Sequence, residues 1–199
     1  FKKFSDKKMM FEKFPKISYL DALLKYGSDK PDLRNPLIIN DITEVFTRED
    51  VSFEIFKKLV KNGSRVRCIV TNNTNDKPRS FFDNIDKWAK SEGASGLAYF
   101  TLEKDKNISA RGPVGKFFSE EALLEIMKKT KCKIGDSVFM ACAKQNELEK
   151  ITALARDKIA QDLELIDENI FSFCWIVDYP MFEKDEITNK IKFSHNPFS

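Results

Sequence analysis

The sequence predicts an α+β chain, with a central unit of short strands and amphipathic helices set between two sheet-forming ends. Three observations carry this. Residues 66–71, 97–102 and 138–143 are compact apolar runs of strand length. The stretches between and after them repeat apolar residues three and four apart, the spacing of a helix with one buried face. Past residue 170 the texture changes: residues 171–177 are nearly all apolar, as a strand covered on both faces would be.

Taken in order, the elements follow from local chemistry. Ser18, with Asp21 three residues on, is an N-cap signal, and Leu20, Leu23 and Leu24 give the apolar face of a short helix that Gly27 stops. Residues 28–34 are polar, and Pro31 blocks helix continuation, so an ordered loop is expected. Residues 37–39 form a short apolar run, and Asp41 is placed to cap a further helical turn. Phe53, Phe56 and Val60 share a helical face that Asn62-Gly63 ends. After the strand at 66–71, Ser80 is read as the cap of a helix with Phe81, Ile85 and Trp88 on its core face. A charged turn at 104–107 follows the second strand, and Gly112-Pro113 breaks the chain.

Ser119 opens the next helix, with acids in its first turn and lysines in its last, both favourable to the helix dipole. The longest helix is expected from about residue 145 to 163, facing the core with Leu148, Ile151, Ala155, Ile159 and Leu163. Trp88 and that face should be buried. A turn at 184–189 and a strand at 191–193 complete the chain. The ends should meet in their own sheet layer, with the middle unit inserted between them. Pairing of 66–71 with 171–177 would contradict that.

Composition narrows the function less than it narrows the fold. Lysine and arginine number 34 against 31 acids, a net charge of +3, less lopsided than is usual for a free-standing nucleic-acid binder. No apolar run reaches the roughly 20 residues needed to span a bilayer. The charged start argues against a signal peptide. The four cysteines form no C-x-x-C pair and there is one histidine, so no metal site is expected; reduced thiols of a cytoplasmic protein are. The first residue is Phe and the last follows a Pro-Phe pair, so both ends read as cuts inside a longer protein.

Few residues carry chemistry on their own. His195 neighbours Ser194, but adjacent strand residues point to opposite faces, so a nucleophile–base pair is not expected. By itself, a lone histidine is more often structural than functional. Gly112, Gly115 and Lys116 do not make a phosphate loop, because Pro113 lacks a donor and the spacing is wrong. Asp29, Lys30, Asp32 and Arg34 pack four charges around Pro31. They fit a solvated loop with local ion pairs, or a loop facing an active site or subunit interface.

Three strings together resemble the bacterial aspartyl-tRNA synthetase family: Phe14-Pro-Lys-Ile-Ser-Tyr19 with Tyr26-Gly-Ser-Asp-Lys-Pro-Asp-Leu-Arg34, then Trp175-Ile-Val-Asp-Tyr-Pro-Met-Phe-Glu183, then His195-Asn-Pro-Phe-Ser199. Between them, Gly96-Leu-Ala-Tyr99 and Ala110-Arg-Gly-Pro-Val-Gly-Lys-Phe117 look like the GAD insertion, which that family shares with a subunit of tRNA-dependent amidotransferases. The resemblance implies residues 1–50 and 171–199 as two pieces of a class II antiparallel-sheet catalytic domain, lying after motif 2 and before motif 3. It makes residues 51–170 the inserted GAD domain. It implies a cytoplasmic, homodimeric parent that activates L-aspartate with ATP and Mg and transfers it to tRNA, with no membrane association. A fragment lacking motifs 2 and 3 would have no catalytic residue, bind no cofactor and be inactive.

His195 matches the first histidine of the family's His-His-Pro-Phe-Thr pattern, and so is expected to bind L-aspartate and, in this fragment, to be exposed. Asn196 and Ser199 depart from that pattern. For Asp29, Lys30, Asp32 and Arg34 the resemblance implies only a structural or interface loop. The competing readings are a GAD-containing amidotransferase subunit and a non-catalytic module binding tRNA or protein.

Overall fold

The computed structural model describes residues 3–185 and 188–195. Its centre is a five-stranded sheet in the order β3-β4-β7-β5-β6, antiparallel throughout. The strands are β3 (Ile39–Asp41), β4 (Arg65–Thr71), β5 (Ala98–Lys104), β6 (Ile108–Arg111) and β7 (Ser137–Ala143). Side chains alternate between its faces. Val66, Cys68, Phe100, Leu102, Val138 and Met140 enter one core, while Ile69, Tyr99, Phe139 and Ala141 enter the other. This two-sided burial is why these strands read as continuous apolar runs.

Helices cover both faces. α2 (Glu54–Lys61) and α4 (Glu120–Thr130) lie over the first core. α3 (Arg79–Ser91) and α5 (Gln145–Asp162) lie over the second, where Leu148, Ile151, Ala155 and Ile159 are buried as their spacing predicts. Leu163 packs at the edge of that core, and Trp88 is half-buried rather than enclosed. α3 starts one residue before the expected Ser80 cap, after Pro78, whose φ of −65° already suits a helix entrance.

The sequence boundary at residue 51 falls inside this unit. β3 pairs with β4, and Ile42, Val45 and Phe46 are buried in the first core. A 3-10 turn does follow, at Thr43–Thr47, but its N-cap is Ile42 and Asp41 sits one residue before it, accepting from the Thr43 amide at 3.0 Å. β6, which the sequence does not announce, lies between the charged turn and the Gly112-Pro113 breaker, because its backbone pairs with β5 across residues 105–107.

The two ends meet each other and not β4. β1 (Lys8–Met9) pairs with β8 (Ile170–Phe171), and β2 (Lys16–Ser18) with β9 (Trp175–Val177). Both pairings are parallel. Parallel neighbours need a long crossover connection, and the whole central unit serves as that crossover. The single strand expected at 171–177 is two short ones, and Trp175 is 60% exposed, so this run is not covered on both faces. β10 (Phe182–Lys184) and β11 (Ile191–Phe193) close an antiparallel hairpin.

Candidate substrate-binding site

α1 (Tyr19–Tyr26) starts where the sequence places it. Ser18 Oγ accepts from the Asp21 amide at 3.1 Å, and Gly27 ends the helix at φ 72° with its amide on the Leu23 carbonyl. Because β2 runs straight into α1, and Ser18 pairs with Val177, Tyr19 lies beside the chain leaving β9. Asp178 turns that chain with φ 61°. The Tyr19 and Tyr179 rings come to 5.0 Å of each other.

His195 lies against both. Its ring is 4.8 Å from that of Tyr179 and 5.4 Å, edge-on, from that of Tyr19. Nδ1 is 2.9 Å from the Pro180 carbonyl oxygen, and the Ser194 amide donates to the Met181 carbonyl at 2.8 Å. The histidine expected to be exposed is therefore half-buried. The reason is local: β10 and β11 pair back on each other, which returns residue 195 to Pro180 and the two tyrosines. Asn196 through Ser199 lie outside the described residues.

The tyrosine hydroxyls are tied down as well. Tyr19 donates to Glu183 Oε1 at 3.3 Å. Burial, then the Glu183 charge, raises its phenol pKa, so it remains a donor. Tyr179 donates to the Asp29 carbonyl at 3.4 Å. The loop at 28–36 thus reaches the histidine through a backbone carbonyl and a tyrosine, not through its charges.

Those charges are used within the loop and against Glu168. Asp32 takes the Arg34 guanidinium through Nε and Nη2 at 3.0 and 2.7 Å, and this bond holds the Asp32 pKa below the usual carboxylate range. Arg34 also donates to Glu168 at 2.9 Å. Lys30 pairs with its neighbour Asp29 and is otherwise in solvent. Among the described residues, none of the four side chains hydrogen-bonds His195.

Sequence reasoning missed the group that fixes this loop. Arg156, on α5, is 2% exposed. It donates to the carbonyls of Leu37 at 2.7 Å, Asn35 at 2.8 Å and Asp32 at 2.9 Å, and sits 5.1 Å over the Tyr26 ring. Its position gave a signal: residue 156 is four after the buried Thr152 and three before Ile159, on the apolar stripe of α5. A charge on a buried stripe needs partners. Tyr19 and Tyr179 lie inside two of the resembling strings, but nothing local marks them as neighbours.

The glycine-lysine segment at 112–116 has a packing explanation. A Cβ on Gly115 would lie 2.1 Å from the Ala110 carbonyl oxygen, and one on Gly112 would lie 3.0 Å from the Tyr99 carbonyl oxygen at φ 128°. Among the described residues, no three His, Cys, Asp or Glu side chains gather as a metal site.

Known proteins resemble this chain along its whole length. The GAD domain model matches residues 56–152. The aspartate–tRNA(Asp/Asn) ligase of Pelagibacter ubique (strain HTCC1062) is 76% identical over 199 residues, which is all of this chain and 34% of that protein. Over its whole length the chain is thus similar to a GAD-containing segment of the aspartate–tRNA ligases. The ligase of the same name from Beijerinckia indica subsp. indica is 46% identical over 200 residues, again covering all of this chain and 34% of its own length. The chain thus spans about a third of the length of the curated relatives it matches. A hypothetical protein PH0730 from Pyrococcus horikoshii OT3 matches with a TM-score of 0.31 at 17% identity, over 57% of this chain and 68% of its own, too loose a likeness to carry an argument. Within the ligase segment, the GAD match falls on the central sheet and its helices. The residues around His195 come from the flanking segments that the ligases also share.

Proposed function

We propose that this chain is part of an enzyme that activates L-aspartate with ATP and transfers it to tRNA, and that His195 forms one wall of the aspartate site. The observation that carries the reading is convergence: Tyr19, Tyr179, Pro180 and His195, spread over the two ends of the chain, meet around one imidazole. Each comes from a string that resembles the synthetases. An imidazole there can bind an amino acid's carboxylate through a charge-assisted hydrogen bond.

Such a bond is worth roughly 1.5–3 kcal/mol, or about 10- to 100-fold in affinity. His195→Ala in the full-length ligase should raise the KM for aspartate by about that factor and change the KM for ATP much less. Unchanged aspartate dependence would refute the role. The amidotransferase reading explains only the GAD match; the identity to ligases on both sides of it supports the synthetase reading instead.

The relatives' names include both aspartate and asparagine tRNA. We extend that dual use to this chain, testable by charging of each tRNA with aspartate. The proposal includes a homodimeric, cytoplasmic enzyme. Among the described residues, no helix is long and apolar enough to cross a membrane. ATP would arrive with magnesium, for which the described residues offer no ligand cluster. Charge stabilisation at the transferring phosphates needs groups aimed at them. The chain by itself should therefore show no aspartate-dependent pyrophosphate exchange.

A further inference from the structure

The environment of His195 specifies more than its place. Nδ1 faces the Pro180 carbonyl oxygen at 2.9 Å. A carbonyl oxygen has lone pairs and no proton, so this is a hydrogen bond only when Nδ1 carries the hydrogen. The bond made by one ring nitrogen fixes the role of the other. Neutral histidine free in water favours hydrogen on Nε2, so the fold must overcome that preference here. Among the described residues, nothing hydrogen-bonds Nε2.

The two tyrosine rings limit how the imidazole can sit. Tyr179 is tilted 57° to it at 4.8 Å, and Tyr19 meets it at 68° and 5.4 Å. Aromatic pairs prefer such inclined geometries over a face-to-face stack. Each tyrosine is itself anchored by its hydroxyl, Tyr19 on Glu183 and Tyr179 on the Asp29 carbonyl. The rings are therefore restrained at both ends, by backbone on one side and a hydrogen bond on the other.

We propose that Tyr19 and Tyr179 are positioning residues that seat the His195 imidazole on the Pro180 carbonyl, fixing its Nδ1–H tautomer and leaving Nε2 as the atom offered to a ligand. The functional meaning rests on the reading of His195 as an aspartate-binding residue; the tautomer does not. Nε2 then has one role at a time: it accepts when the ring is neutral and donates when the ring is protonated. A ring free to turn over would present either nitrogen, and would bind a ligand with the wrong partner part of the time.

The chain contains one histidine, so its imidazole nitrogens give a single spin system. Long-range proton–nitrogen NMR of the 15N-labelled chain, at a pH where the ring is neutral, should show a protonated Nδ1 and an unprotonated Nε2. A proton on Nε2, or two averaged nitrogen shifts, would overturn the proposal. Tyr179→Ala and Tyr19→Ala should collapse the difference between the two shifts, while Tyr19→Phe, which keeps the ring and loses only its Glu183 anchor, should retain most of it. Unchanged amide signals from α5 and the five-stranded sheet establish that each variant is folded. A fixed Nδ1–H tautomer in folded Tyr179→Ala would refute the positioning role. In the full-length ligase, Tyr179→Ala should raise the KM for aspartate and leave that for ATP. If the tautomer is as stated but His195→Ala leaves aspartate use unchanged, the binding reading fails and the positioning stands.

Discussion

Two buried arginines should respond to the same substitution in opposite ways. Arg156 and Arg67 are 2% and 1% exposed. Arg156 satisfies three backbone carbonyls of the 32–37 loop. Arg67, on β4, reaches only Glu149 at 3.3 Å, and its Nε and Nη1 have no hydrogen-bond partner among the described residues. Replacing Arg156 by Met strands three acceptors, two of them on the buried residues Asn35 and Leu37. Each orphaned buried group costs about 1–3 kcal/mol. The charge that disappears was itself costly to bury: desolvation pulls the Arg156 pKa down, against the pull of Asp157, Tyr26 and Asp32. Over the two buried acceptors, the middle of that per-group range is a loss of about 3–5 kcal/mol.

For a domain of this size, that loss lowers the melting temperature by about 6–20 °C. Arg67→Met removes a poorly satisfied charge, and apolar replacements of such groups are often neutral or stabilising. Its change should lie within about 1 kcal/mol of zero or on the stable side. Urea titrations read by tryptophan fluorescence suit the test with Trp175 replaced by Phe, because Trp88 on α3 packs on the same core as α5. Arg156→Lys, which keeps charge but not the fork, should fall between Met and wild type. Equal losses for the two Met variants would refute the argument from hydrogen-bond satisfaction.

Three further outcomes follow from the structure. Gly27→Ala should cost about 1–3 kcal/mol in thermal melts, because its Cβ would sit 2.5 Å from Ala153 Cβ with φ at 72°; a neutral effect would mean α1 and α5 do not meet there. Arg48 and then Ser119 hold the Asp50 carboxyl at about 2, the Thr188 amide and hydroxyl hold Asp185 at about 2, and Arg34 holds Asp32 low. Folded values below the unfolded value of about 3.9 stabilise above that pH and lose the effect as pH falls toward 2, so urea midpoints should drop between pH 4 and 2 and Asp50→Asn should flatten part of the drop. Burial raises the pKa of all four thiols, that of Cys142 to about 11, so a thiol reagent at pH 8 should label the native chain slowly and the urea-unfolded chain fast.

The sequence by itself determined what depends on neighbours a few residues apart. The Ser18 cap and Gly27 stop fix α1, the stripe from Leu148 to Ile159 fixes α5, and the apolar runs fix β4, β5 and β7. The resembling strings also pointed to the ligases that the chain matches, because their order is information that no fold is needed to read. Tertiary structure alone decided what depends on pairing between distant residues. β3 belongs to the central sheet because β4 offers it hydrogen-bond partners, although its own residues read as part of the preceding segment. The ends pair in parallel because the central unit carries the chain back to the side it left. Arg156 finds carbonyls more than 100 residues away, and Tyr19 meets His195 across almost the whole chain. Local propensity constrains backbone angles and the buried face of each element. It carries no information about which exposed donor or ring will find which partner, and that is set only when the elements pack.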